Sequence, residues 1–245
     1  AKPIFVTGHK SPDTDSICSS LAFAKLKQLQ GIDAVAIRAG EMNKETAFAL
    51  DYFHVEPQPI VKDFYIKVGD AVHTEVEALK ISASLKDAAK WFAAHPSPIA
   101  PVADNGTFVG VIDRAALAEE FIKTVTGEEL SMVKDLVHDP DRFFQTTDKG
   151  CDIPQDGKYV GMVCAECVAA AEKQQVILVD HNEKKQIIDG SEDADIVGVV
   201  DHHRIGGTLS TEGPIFILFR PVGCTATIVT GLYKQAGIAI PKDIA

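Results

Sequence analysis

Seven Asp and His residues in three short segments have the types and spacing of a divalent-metal site. His9, Asp13 and Asp15 fall in the loop GHKSPDTDS, Asp180 follows VILV, and Asp201, His202 and His203 follow IVGVV. Imidazole mixed with carboxylate suits Mn²⁺, Co²⁺, Fe²⁺ or Zn²⁺ better than Ca²⁺ or Mg²⁺, which favour all-oxygen shells. There are more candidates than one tetrahedral ion needs. That points to two ions sharing a bridging carboxylate, a geometry suited to hydrolytic phosphoryl chemistry. A lone Asp after a strand is commonly a helix cap or turn residue, so the convergence of three segments is what favours ligation. As neighbours, His202 and His203 are expected to send one ring toward a common centre and leave the other to support it or to meet substrate.

Each segment follows an apolar run of strand type. Pro3 to Thr7 (PIFVT) is closed by Gly8, and Ile17 to Leu29 has helical apolar spacing with Ser16 available as its cap. Asp33 to Arg38 reads as a second strand and Asn43 to Phe53 as a helix. Val176 to Val179, Ile196 to Val200 and Pro214 to Phe219 read as further strands, and Thr225 to Gln235 as a helix. This alternation predicts an α/β fold with a doubly wound, mainly parallel sheet, whose ligands gather outside the carboxyl ends of the strands. The rhythm breaks near residue 64. We therefore expect a discontinuous metal-binding domain, 1–65 plus 174–245, and an inserted α+β region, 66–173. Within the insertion, Phe108 to Leu117 (FVGVIDRAAL) is echoed by Tyr159 to Val168 (YVGMVCAECV), as two related units would be.

Composition excludes several classes. The chain has 245 residues, 46% hydrophobic and 24% charged, and a net charge of -11. That acidity argues against nucleic acid as the main partner, since such binding rests on clustered Lys and Arg. There is no signal-peptide pattern and no apolar stretch of spanning length, so no membrane partner is expected and a cytoplasmic protein is the default. Five scattered cysteines do not resemble a disulfide framework.

The loop His9 to Ser16, the run VILVDHNE and the run VVDHHRIG resemble the successive motifs of the DHH phosphoesterase superfamily. The segment PVGCTATIV, Pro221 to Val229, narrows the resemblance to the manganese-dependent (family II) inorganic pyrophosphatases. It implies hydrolysis of pyrophosphate to two phosphates, with two Mn²⁺ (or Co²⁺) ions and a metal-bridging water as nucleophile. It makes His9 and Asp13 ligands of one ion, Asp15 and His202 ligands of the other, and Asp180 the bridge. Asp201 would orient the adjacent imidazole, and His203 would donate a hydrogen bond to the phosphate. A homodimer is implied as well. Thr14, where the superfamily's phosphodiesterases of oligonucleotides and cyclic dinucleotides usually have Gly, favours pyrophosphate over that alternative.

The family's fourth ligand motif and its basic, substrate-gripping C-terminal domain are not found before Ala245. We therefore expect a piece of a longer protein that binds metal but has little or no activity. The insertion resembles a CBS-type regulatory region, which implies an adenine nucleotide as a possible ligand and offers a non-catalytic sensing module as a rival function. Asp113 stands where that motif places a phosphate contact, and its charge would repel phosphate. Cys164 and Cys167 take the matching places in the second unit and read as small packing residues. His54, His73, His95 and His138 read as surface or packing histidines. Strand alternation is expected to send His181 to the side opposite Asp180, while Cys18 and Cys224 pack as small hydrophobes.

Overall fold

A computed structural model describes residues 2–138, 157–163 and 168–245. The chain divides into two compact units, Ala1–Ile66 with Glu172–Ala245, and Lys67–Ala171.

In the first unit five parallel strands form one sheet: β1 (Ile4–Thr7), β2 (Ala34–Ile37), β6 (Gln174–Val179), β7 (Ala194–Asp201) and β8 (Phe216–Phe219), in the order β2-β1-β6-β7-β8. The chain moves outward from β1 in one direction to β2 and in the other to β6, so the crevice between β1 and β6 is the topological switch point where such sheets bind ligands. Pairing of Thr7 with Leu178, Val179 with Val200 and Asp201 with Phe219 brings the carboxyl ends level.

Helices α1 (Thr14–Leu29) and α6 (Thr225–Ala236) cover one face of the sheet, packing Phe23, Leu26, Ile228 and Tyr233 onto Val6, Val179 and Val200. The other face is covered by Phe64, Ile187 and Ile188 from connecting segments, against Ile37, Leu178 and Val199. Helix α2 (Lys44–Tyr52) follows β2 and is capped by the Asn43 side chain. The cap of α1 is Asp13, whose carboxylate accepts the Ser16 N–H at 3.0 Å. Ser16, expected as the cap, lies inside the first turn, because the helix starts earlier and the Asp13 carboxylate caps it by accepting the Ser16 N–H. Tyr233 is 1% exposed and donates its hydroxyl to the Ala22 carbonyl at 2.9 Å, joining the two helices. Tyr233→Phe is expected to cost about 1 kcal/mol in urea unfolding, the worth of one buried hydrogen bond.

The second unit holds a three-stranded sheet, β3 (Leu79–Lys80), β4 (Ile99–Asp104) and β5 (Thr107–Asp113), with β3 parallel and β5 antiparallel to β4. Helices α4 (Leu85–Ala94) and α5 (Arg114–Thr126) pack Ala88, Trp91, Phe92 and Leu117 onto Val102 and Ile112, and a four-residue helix α3 (Val68–Ala71) opens the unit. The internal echo has a geometric counterpart. Gly110 and Gly161 both adopt φ 150°, and the residue after each makes an antiparallel bridge, Val111 with His138 and Met162 with His73. A Cβ on Gly110 would meet the His138 carbonyl at 2.6 Å, so close backbone approach requires glycine there. The equivalent aromatics, Phe108 and Tyr159, stack at 6.4 Å. Cys151 and residues 164–167 of the second echo, Cys164 and Cys167 among them, lie outside the described residues. Among the described residues no helix is long and apolar enough to cross a membrane.

Candidate metal centre

The three predicted segments meet at the carboxyl edge of β1, β6 and β7. Asp180 is at their centre, with its side chain 2% exposed. Strand β6 ends at Val179 because Asp180 turns into the left-handed region at φ 63°, which is uncommon for a residue with a Cβ and is tolerated by Asp better than by most. Its Oδ2 accepts a bond from the Ser16 hydroxyl at 2.9 Å and its Oδ1 one from the Thr225 hydroxyl at 3.1 Å. Both donors are set by the first turns of α1 and α6, and neither was among the site residues expected from sequence, where Ser16 was read only as a helix cap.

Two groups of potential ligand atoms share this carboxylate. In one, His9, Asp13 and Asp180 each offer an atom within 4.8 Å of the others; in the second, Asp180, His202 and His203 do so. His9 Nε2 lies 3.7 Å from Asp13 Oδ2 and 3.6 Å from Asp180 Oδ2. His202 Nε2 lies 3.4 Å from Asp180 Oδ1 and 3.7 Å from Asp15 Oδ2. Asp15 belongs to neither tight group. The start of α6 holds it there, through the N–H groups of Thr225 at 2.6 Å and Ala226 at 2.9 Å.

The donor set fits first-row divalent cations. Burial, and next the neighbouring Asp15 carboxylate, push the Asp180 carboxyl from its ordinary 3.8 up to about 7. Anionic oxygens crowded in a buried place are stable together when a cation lies between them. His202 Nδ1 sits 2.9 Å from the Val222 carbonyl, which can only accept, so Nδ1 carries a proton and the ring is held with Nε2 facing the carboxylates.

Asp201 does not hold the ring of His202. Its Oδ1 accepts from His203 Nδ1 at 2.8 Å, as well as from the backbone N–H groups of His202 at 2.7 Å and His203 at 3.1 Å. The orienting role expected of Asp201 thus falls on His203, and Val222 performs it for His202. Burial acts to raise the Asp201 carboxyl, but bonds from Asn182 and His203 outweigh it and hold the group below its usual range. Burial acts to lower His203, and the Asp201 bond and charge more than reverse that, raising it. Both histidine rings approach Asp180, with centroids 4.1 Å apart, rather than one alone.

His181 departs from the strand-alternation expectation. With Asp180 left-handed, alternation has already ended, and the His181 ring stands edge-on to His9 at 6.3 Å. Burial lowers it to about 4, so it is neutral near pH 7. Cys18 lies below the loop with its thiol raised by burial and then by Asp15 and Asp13, which disfavours a reactive thiolate. His54, His73, His95 and His138 belong to none of these ligand groups.

A buried carboxylate shared between two His/Asp groups that could hold a metal ion, at the switch point of a parallel sheet, is the site of this α/β protein. The DHH family, N-terminal domain, matches residues 3–245, and the chain belongs to that family. A probable manganese-dependent inorganic pyrophosphatase of Exiguobacterium sp. (strain ATCC BAA-1283 / AT1b) is 30% identical over 242 residues, covering 99% of this chain and 44% of that protein. One of the same name from Bacillus cereus (strain B4264) is 28% identical, with the same coverage. The chain thus spans less than half the length of these relatives. Among solved structures, a Methanococcus jannaschii putative family II inorganic pyrophosphatase aligns with a TM-score of 0.46 at 21% identity, covering 95% of this chain and 39% of that one. CBSX2 in complex with AMP aligns with a TM-score of 0.31 at 22% identity, over 43% of this chain and 93% of that one.

Proposed function

We propose that this chain is the metal-binding half of a manganese-dependent inorganic pyrophosphatase, built by the discontinuous unit, with the Lys67–Ala171 unit as an inserted CBS-like region. His9, Asp13, Asp15, Asp180 and His202 would hold two divalent cations, Mn²⁺ or Co²⁺. Asp180 carries this reading, because its two carboxylate oxygens face different imidazoles, His9 at 3.6 Å and His202 at 3.4 Å. Bound cations would neutralise the diphosphate and acidify a water to serve as nucleophile. The rest is the work of the chain's own groups. The start of α6 fixes Asp15, while the Ser16 and Thr225 hydroxyls fix Asp180. Asp201 holds His203 by Nδ1 and favours its charged form, leaving Nε2 as the donor available to a phosphoryl oxygen that gains charge as the bond breaks.

Calorimetry should find two Mn²⁺ per chain, and a stoichiometry of one would sink the paired site. Hydrolysis of pyrophosphate to phosphate should be faster than hydrolysis of an oligonucleotide or cyclic dinucleotide to its nucleotide products, and the opposite order would favour the diester reading. Turnover by this chain alone is expected to be low, because phosphoryl transfer depends on cationic groups around the phosphate that the longer relatives have room to supply. Dimer formation, by analogy with the family, is checked by light scattering.

In the inserted unit, a nucleotide phosphate has little to gain at the start of α5. The Asp113 carboxylate already accepts the Ala116 N–H at 2.6 Å and lies 3.9 Å from His138. An adenine nucleotide would instead suit the cavity of about 590 Å³ lined by residues that include Thr74, Val76, Lys80, Asn105 and Tyr159. Asp113→Ala is expected to cost about 1 kcal/mol through the lost helix cap and to leave AMP affinity unchanged. A tenfold gain in AMP affinity would move the nucleotide to the helix start.

A further inference from the structure

Strand β7 ends at Asp201, and the residues that follow, His202 to Gly206, belong to no helix or strand. Both histidines that approach Asp180 on this side, His202 at 3.4 Å and His203 at 3.7 Å, therefore stand on irregular backbone. Val222 holds the His202 ring and Asp201 the His203 ring. Neither bond fixes the backbone beyond His203.

One buried side chain does. Asn182, in the segment after β6, is 3% exposed and turns its whole amide to this loop. Its two N–H groups donate to Asp201 Oδ2 at 2.6 Å and to the Arg204 carbonyl at 2.9 Å, and its oxygen accepts the Gly206 N–H at 2.8 Å. The partners settle which way the amide faces, because a carbonyl can only accept and a backbone N–H can only donate. The next two residues extend the contact. A Cβ on Gly206 would lie 2.3 Å from the Glu183 Cγ, so the loop comes as close to this segment as glycine permits. The Lys184 N–H donates to the Thr208 hydroxyl at 2.9 Å.

We propose that Asn182 is a positioning residue for the His202–His203 pair: it ties the loop after β7 to the end of β6 at three points and so keeps both imidazoles in place beside Asp180. A loop tethered at Asp201 alone would be free to swing from Arg204 onward. The bonds at Arg204 and Gly206 remove that freedom before any ion or substrate arrives, and a site held ready in this way loses nothing to ordering when it binds. The metal role of His202 rests on the function proposed above, whereas the clamp is a property of the metal-free chain.

The test is amide hydrogen exchange followed by NMR on the metal-free chain, with calorimetric Mn²⁺ titration and urea unfolding alongside. In the native chain the Gly206 amide should exchange more slowly than those of Ile205 and Gly207, its neighbours in the same loop. In Asn182→Leu, which keeps the bulk and removes all three bonds, Gly206 should exchange about tenfold faster, the worth of one hydrogen bond. Val199 and Val200, inside the sheet, should keep their protection, which separates opening of the loop from opening of the fold. Mn²⁺ affinity should fall about 10–100-fold, the usual cost of losing a group that orients a ligand. Asn182→Gln, which keeps both donors and the acceptor, should recover part of both losses. A native Gly206 amide that exchanges as fast as its neighbours overturns the proposal, and that measurement depends on no variant folding. So does an Asn182→Leu chain that is destabilised in urea, or released at Gly206, yet binds Mn²⁺ with native affinity. If Gly206 is released as expected but the native chain binds no Mn²⁺, the clamp stands and the metal reading is the part that fails.

Discussion

Asp180→Asn is expected to lower Mn²⁺ affinity more than about a hundredfold, since even groups that merely orient a ligand are worth 10–100-fold, while making the metal-free chain more stable. The two effects share a cause. The carboxyl is held at about 7 in the folded chain, against an ordinary 3.8, first by burial and then by Asp15. A folded-state value above the unfolded one means that the native state keeps its proton longer. The stability this group contributes is therefore present below about pH 4 and lost as pH rises toward 7, on the order of 2–4 kcal/mol. Asn removes the charge, keeps the shape and tolerates the left-handed backbone at φ 63°. Urea melts of the metal-free chain should show native stability declining across that window, and a flatter profile for the variant. Unchanged Mn²⁺ affinity, or parallel pH profiles, would remove Asp180 from the centre of the site.

Gly8→Ala should damage the site from behind. An added Cβ would lie 2.5 Å from the Ser16 Cβ and 3.0 Å from its Cα, so the start of α1 would have to move away from β1. Such overpacking is expected to cost about 1–3 kcal/mol. The same turn carries Asp13 and Asp15 and the hydroxyl that holds Asp180, so Mn²⁺ affinity should fall at least about tenfold as well. Comparing urea unfolding with Mn²⁺ titration separates the two losses. A destabilised variant with native affinity would mean that α1 and β1 can part without disturbing the ligands.

The strands were readable because apolar runs such as VILV and IVGVV are buried on both faces, and the ligand candidates because they follow those runs directly. What escaped was carried by backbone groups or by exceptions to periodicity. The Val222 carbonyl and the Thr225 and Ala226 amides leave no trace in side-chain types, although they fix His202 and Asp15. Asp13 was read as a ligand and not also as the cap of α1, since one carboxylate oxygen can cap while the other stays near His9. The position of His181 depends on a left-handed residue before it, which a rule of strict alternation cannot anticipate.

The site also has a schedule. Pro3 accepts a bond from Gln174, 171 residues later, and Asp15 is held by Thr225, 210 residues later. At a synthesis rate of roughly 5–20 residues per second, β1 waits about ten to thirty seconds for β6. Throughout that interval the nascent chain carries His9, Asp13 and Asp15 without Asp180. If these residues hold a metal as proposed, full affinity for the ion would arise only after the start of α6 has left the ribosome, so capture would follow the pairing of α6 with Asp15.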